Sequence, residues 1–199
     1  MTKVAIVYYS MYGHIRKMAE EIKKGLVESR CEVTFLQCPE TLPEEVLGKM
    51  GAPAKPDDEV ATADRLKDFD AFMFGIPTRF GMAPAQMKSF WDSTGGLWQA
   101  GALVGKPAGI FFATGTQNGG QETTALTFVT QLVHHGIIYV PMGYSTTDLF
   151  DMSAPHGGSP YGSGTLAGAD GSRQPSDLEK KIAVHHGKYF GGVAAKLAK

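Results

Sequence analysis

Apolar residues in this chain gather in short runs at residues 4–9, 71–76, 109–113 and 137–140. Each run is nearly unbroken and rich in β-branched or aromatic side chains, the pattern of strands covered on both faces in a parallel sheet. A further run, Glu32–Gln37 (EVTFLQ), alternates polar and apolar positions and predicts a half-exposed edge strand. Between the runs the apolar period lengthens to that of a helix. In HIRKMAEEIKKGLVESR, Ile15, Met18, Ala19, Ile22 and Leu26 share one helix face. Pro84 opens a helix in PAQMKSFWDS, and Gly136 closes the one in QETTALTFVTQLVHHG. The last helix begins at a capping box, Ser176 with Glu179, and is expected to bury Ile182, His186, Tyr189, Phe190, Val193 and Leu197. Repeated strand–helix alternation predicts an α/β, doubly wound, five-stranded parallel sheet with helices on both faces, in a single domain over residues 1–199.

Two stretches interrupt the alternation. Residues 39–61, rich in Pro, Glu and Asp, predict a loop with a short helix after the edge strand. Residues 143–175 carry many glycines and few core-type residues. So long a loop in a compact domain is usually functional. Tyr144, Phe150 and Tyr161 within it are expected at a contact with other subunits.

Composition narrows the function. With 43% hydrophobic and 20% charged residues the chain is ordinary for a globular protein. A formal net charge of −1 provides no footprint for nucleic acid or an anionic membrane, so neither is expected as a partner. No apolar run approaches the roughly 18 residues of a membrane span, and MTKVAIVYYS lacks a signal-peptide pattern. Cys31 and Cys38 on one extended segment would lie about 23 Å apart, far beyond the ~7 Å reach of a disulfide. Free thiols fit a reducing, cytoplasmic setting. The adjacent pairs His134–His135 and His185–His186 point each member to a different helix face, so no metal site is expected.

In an open parallel sheet, ligands bind beyond the carboxyl ends of the strands. Three strand ends carry unusual loops: SMYGHI (10–15), PTRFG (77–81) and TGTQNGGQE (114–122). The first leads from a buried strand into a helix, whose free N–H groups and dipole make an anion site, with the Ser10 hydroxyl as a further donor. Transfer of a phosphoryl group calls for a lysine to neutralise charge. This loop has none, so its anion is one that anchors a ligand.

Together these loops resemble the flavodoxin-like fold, with sheet order 2-1-3-4-5. SMYGHI, PTRFG, TGGLW, TGTQNGGQE, HHG and GADGSRQP, in that order from residue 3 to the last helix, resemble the WrbA family of FMN-dependent NAD(P)H:quinone oxidoreductases. The resemblance implies FMN as bound cofactor, NADH or NADPH as donor, a quinone as acceptor, a role against oxidative stress, and a homotetramer arranged as a dimer of dimers. It assigns the FMN phosphate to Ser10, Met11, Tyr12, Gly13, His14 and Ile15. Pro77, Thr78, Arg79 and Phe80 would meet the ribityl chain and ring, and Ala113, Thr114, Gly115, Thr116, Gln117 and Asn118 would line the ring's other side. His134 would approach the pyrimidine end, where it and the 114–120 amides would stabilise charge gathering near N1 and O2. Tyr12 and Trp98 would contact the substrates, and His134, Trp98 and Phe80 are the catalytic candidates. Flat donors and quinones need a planar slot with aromatic walls, and one slot used in turn implies ping-pong kinetics. Two departures stand out: Met82-Ala83-Pro84 where asparagine is more usual, and Gln117-Asn118 in place of small residues. The competing reading is a flavodoxin-type one-electron carrier for protein partners. Such carriers are strongly acidic, which a net charge of −1 does not match.

Overall fold

The computed structural model describes residues 1–198. The first apolar run becomes β1 (Lys3–Tyr8), buried from Val4 onward, and both its neighbours run parallel to it. The chain continues through α1 (His14–Glu28), β2 (Glu32–Gln37), α2 (Glu44–Lys49), β3 (Glu59–Val60), β4 (Ala71–Pro77) and α3 (Ala85–Asp92). It ends with α4 (Gly95–Gln99), β5 (Pro107–Thr114), α5 (Gln121–His134), β6 (Ile138–Tyr139), β7 (Gly164–Leu166) and α6 (Asp177–Leu197). All pairings are parallel, in the order β3-β2-β1-β4-β5-β6, so the expected 2-1-3-4-5 order is present as β2-β1-β4-β5-β6.

Two short strands join those five. The two-residue β3 lengthens the edge beyond β2. The other, β7, pairs with Phe112–Thr114 at one end of β5, whereas β6 pairs with Pro107 and Ala108 at the other. The fifth sheet position is thus shared by two strands, with residues 140–163 looping out between them. The expectation of few core residues in 143–175 is corrected here: Ser163, Thr165 and Leu166 are buried in the sheet. Gly162 makes the return possible, because a Cβ there would stand 1.9 Å from the Ile110 carbonyl oxygen. No β-branched run announces this strand; its local signal is the three-residue sequence Gly-Thr-Leu.

Side chains alternate across the sheet. Val7, Phe72, Phe74, Ile110 and Phe112 face a core closed by α3, α4 and α5, through Trp91, Leu97 and Phe128. Ile6, Tyr8, Met73 and Phe111 face the opposite core, closed by α1 and α6 through Ile15, Met18, Ile22 and Phe190. Burying all five expected α1 residues follows from its single apolar stripe. On α6, Ile182, His186 and Phe190 are buried, but Tyr189 and Leu197 are exposed, because a helix laid on α1 covers one stripe only. Pro84 stands at the N-cap of α3, one place before the helix. At Gly75 on β4, a Cβ would fall 2.4 Å from the Phe111 ring and 2.7 Å from Ile15, so glycine there lets the first turn of α1 settle on the sheet. That contact brings the start of α1 to the carboxyl ends of β1, β4 and β5.

Candidate functional site

The first rim loop is shaped by one residue. Gly13 caps α1 with φ +90°, a left-handed conformation that glycine adopts freely. The first intrahelical bond runs from the Lys17 N–H to the Gly13 carbonyl at 2.9 Å. The His14 and Ile15 amides precede it and have no intrahelical acceptor, so they are available to an anion at the positive end of the helix. The Ser10 oxygen accepts the Gly13 N–H at 3.1 Å and the Arg16 N–H at 3.4 Å, leaving its hydroxyl hydrogen to offer.

Segment 39–61 braces this loop from behind. Lys55 donates to the Ser10 carbonyl at 3.0 Å and pairs with Glu40 at 3.0 Å. The Tyr9 hydroxyl donates to Glu40 at 2.8 Å, and burial together with that carboxylate pushes the phenol's pKa up. Burial by itself would raise Glu40, but hydrogen bonds from Lys55, Tyr9, the Leu42 amide and Gln86 outweigh it and hold the carboxyl at about 2. The neighbouring Tyr8 hydroxyl and Arg16 bind Asp58 in the same way.

The other loops complete a cleft. Its lining comprises Ser10, Met11, Tyr12, His14 and Ile15 from the first loop, Pro77, Thr78 and Arg79 from the second, Ala113, Thr114 and Gly115 from the third, and Ala167 just past β7. Thr78 N–H donates to the Ala113 carbonyl at 2.9 Å and Ala167 N–H to the Thr114 carbonyl at 2.8 Å, so the rims are tied to one another. No carboxylate lines the cleft. Arg79 donates to the Thr78 carbonyl at 3.0 Å and, among the described residues, forms no ion pair. A free guanidinium, open helix amides and no opposing acid suit an anionic group carrying a longer, partly polar body.

The remaining expected residues lie elsewhere in the chain. Gly13 borders an adjoining hollow with Arg16, Lys17 and Lys55. Phe80 is fully exposed at the tip of the second loop and does not line the cleft. Thr116 accepts the Thr114 hydroxyl at its carbonyl, 2.8 Å away, and Gln117 and Asn118 line a separate polar hollow with His156 and Ser159. Trp98 and His134 share a third hollow between α3, α4 and α5, with Lys88, Thr94 and His135. His135 bonds Thr94 at 2.9 Å, and burial, with His134 beside it, lowers its pKa. Within one chain, therefore, His134 and Trp98 come together with each other but not with the cleft. Reading the sequence alone misses Ala167, Lys55 and Glu40; the first sits in a glycine-rich stretch, and the others make contacts across more than 30 residues of chain.

The sheet order and the rim cleft define a flavodoxin-like protein. A WrbA-like flavodoxin from Agrobacterium tumefaciens has this fold, with a TM-score of 0.68 at 21% identity over 99% of each chain. The chain belongs to the NADPH-dependent FMN reductase family, whose model matches residues 2–150. It is 62% identical to the quinone-oxidoreductase QR2 of Triphysaria versicolor, over 98% of this chain and 97% of that protein. It is also 56% identical to the NAD(P)H quinone oxidoreductase PST3 of Candida albicans, over 94% of this chain and 96% of the relative.

Proposed function

We propose that this protein uses bound FMN to reduce quinones to hydroquinones with NAD(P)H, two electrons at a time, with both substrates taking turns in one slot over the flavin. The observation carrying this reading is the carboxylate-free cleft, with Arg79 and the α1 amides converging at its rim, in a chain so close to named quinone oxidoreductases. The donor set fits FMN: the His14 and Ile15 amides and the Ser10 hydroxyl would hold the phosphate, and Thr78 and Arg79 would hold the ribityl chain. When bound, FMN supplies the two-electron redox chemistry. The third loop, which reaches the cleft through Thr114 and Gly115, would meet the charge that develops on the ring, and Tyr12, about half exposed at the rim, would border the space for a flat substrate. Neither Phe80 nor Trp98 lines the cleft, so an aromatic wall over the ring would have to come from outside this chain.

Trp98, His134 and Phe80 supply that cover from neighbouring copies. All three are exposed in the single chain, so the slot would be completed in a homotetramer, a dimer of dimers. Segment 143–175, with Tyr144 and Phe150 stacked at 5.3 Å on the surface, would pack between subunits. Cys31 and Cys38 are free and buried, in keeping with a reducing cytoplasm. Among the described residues no helix is long and apolar enough to cross a membrane.

The test is an anaerobic titration. The purified protein should be yellow, bleach on adding NADH or NADPH under nitrogen, and regain its colour with benzoquinone. Initial rates against both substrates should give parallel double-reciprocal lines. A colourless protein that takes up no FMN would overturn the reading, and intersecting lines would overturn the shared slot. A yellow protein that bleaches but turns over almost no quinone would instead be a flavodoxin-type carrier.

A further inference from the structure

We infer that Glu179 is a positioning residue for the phosphate end of the cleft, holding Ala167 directly through the end of β7 and His14 through Arg173. Glu179 is completely buried at the third position of α6. Its Oε1 accepts the Gly157 N–H at 2.8 Å, the Leu166 N–H at 3.1 Å and Arg173 Nη1 at 3.1 Å. Its Oε2 accepts the Ser176 N–H at 2.7 Å, the Thr165 hydroxyl at 3.0 Å and Arg173 Nη1 at 2.9 Å. Burial alone would raise this carboxyl; the Ser176 amide, Arg173 and the Gly157 amide outweigh it and hold it ionised.

A capping box accounts for the Ser176 bond and nothing more. The Gly157 amide belongs to the looped-out segment, but the other three donors, Thr165, Leu166 and Arg173, lead to the cleft. Thr165 and Leu166 end β7, and the next residue, Ala167, forms the cleft wall. Arg173 donates its N–H to the Ala167 carbonyl at 2.9 Å and Nη1 to the Leu166 carbonyl at 2.7 Å. Its own carbonyl accepts His14 Nε2–H at 2.8 Å, which fixes a proton on that ring nitrogen. His14 opens α1, where the anion-binding amides lie. Lys17, one turn on, donates to Gln174 next to Arg173. One buried charge thus sets both the wall and the helix start.

This inference rests on the reading that residues 10–15 grip the FMN phosphate. Apoprotein is titrated with FMN and with riboflavin, which lacks the phosphate, for wild type, Glu179→Gln and Arg173→Met, following quenching of flavin fluorescence. In Glu179→Gln an amide donor must face groups that are themselves donors, so Arg173 loses its anchor. Wild type should prefer FMN. Both variants should bind FMN at least about tenfold more weakly, the worth of one charge-assisted hydrogen bond, with riboflavin affinity within about twofold of wild type. Nitrogen NMR of His14 should show the bias toward Nε2–H reduced. If wild type fails to prefer FMN, the phosphate-loop reading fails. If wild type prefers FMN and the variants keep that preference, or lose both ligands equally, Glu179 is a cap and the positioning role is overturned. Should Glu179→Gln not fold, Arg173→Met alone decides between these outcomes.

Discussion

Phe80 occupies a backbone conformation its side chain disfavours. Arg79 N–H donates to the Met82 carbonyl at 2.8 Å and Met82 N–H to the Arg79 carbonyl at 3.1 Å, closing a two-residue turn. Phe80 and Gly81 take φ of 53° and 77°, the left-handed pair for which Asn-Gly is favoured. An aromatic residue there costs on the order of 1 kcal/mol, and its ring buries nothing within the chain. Strain without local packing gain points to a use outside the fold, in keeping with a wall over a flavin. Replacing Phe80 by Asn should therefore raise the melting temperature by about 3 °C while cutting quinone kcat/KM roughly tenfold, the loss of one aromatic contact. Differential scanning calorimetry and steady-state rates check both signs, and a drop in melting temperature would show that the ring stabilises its own chain. At this scale, what the sequence discloses is uneven. Ser10, His14, Ile15, Thr78 and Arg79 line the cleft because each follows directly from a strand end that the apolar pattern marks. Trp98 and His134 lie on helices, and which surface a helix shows to another copy is not encoded in local spacing.

Between elements, the decisive contact on one face is α1 against α6, and glycine sets its distance. A Cβ on Gly25 would stand 1.9 Å from the Val184 carbonyl oxygen, and one on Gly187 would stand 2.1 Å from that of Ile22. The backbones meet with no side chain between them, so each helix buries its stripe on the sheet rather than on the other helix. Neither clash can be relieved by a rotamer change, because the obstructing atoms are backbone. Gly187→Ala should thus destabilise by about 3 kcal/mol, the upper part of the overpacking range, despite alanine's better helix propensity; urea denaturation measures it, and a stabilised variant would refute the close approach. The helices themselves are legible, since α1, α5 and α6 carry an apolar stripe, a terminal glycine or a capping box. Their closest crossing is not, because a glycine inside a helix reads as a weakness until its neighbour is known. The same limit hid β7, which is held by pairing with β5 and by Glu179 rather than by its own three residues.

For the whole molecule the question is what covers the exposed aromatic and aliphatic groups. Trp98, Val104, Leu126 and Val133 are all exposed on and around α4 and α5, and Met152 joins the stacked Tyr144 and Phe150 in the looped-out segment. Apolar groups gathered in this way on a surface mark association sites. With a net charge of −1, self-association meets little electrostatic repulsion. The cleft and the Trp98–His134 hollow are separate in one chain, so a slot using both must be built from at least two. On the proposed reading, activity and assembly are one equilibrium. On dilution, specific quinone reductase activity should fall in step with the fraction of the proposed tetramer measured by sedimentation, while FMN stays bound, since the phosphate contacts proposed for it lie within one chain. Trp98→Ala should lower turnover at every concentration and leave FMN affinity unchanged. A monomer that reduces quinones at full rate would separate the two and place the whole site inside a single chain.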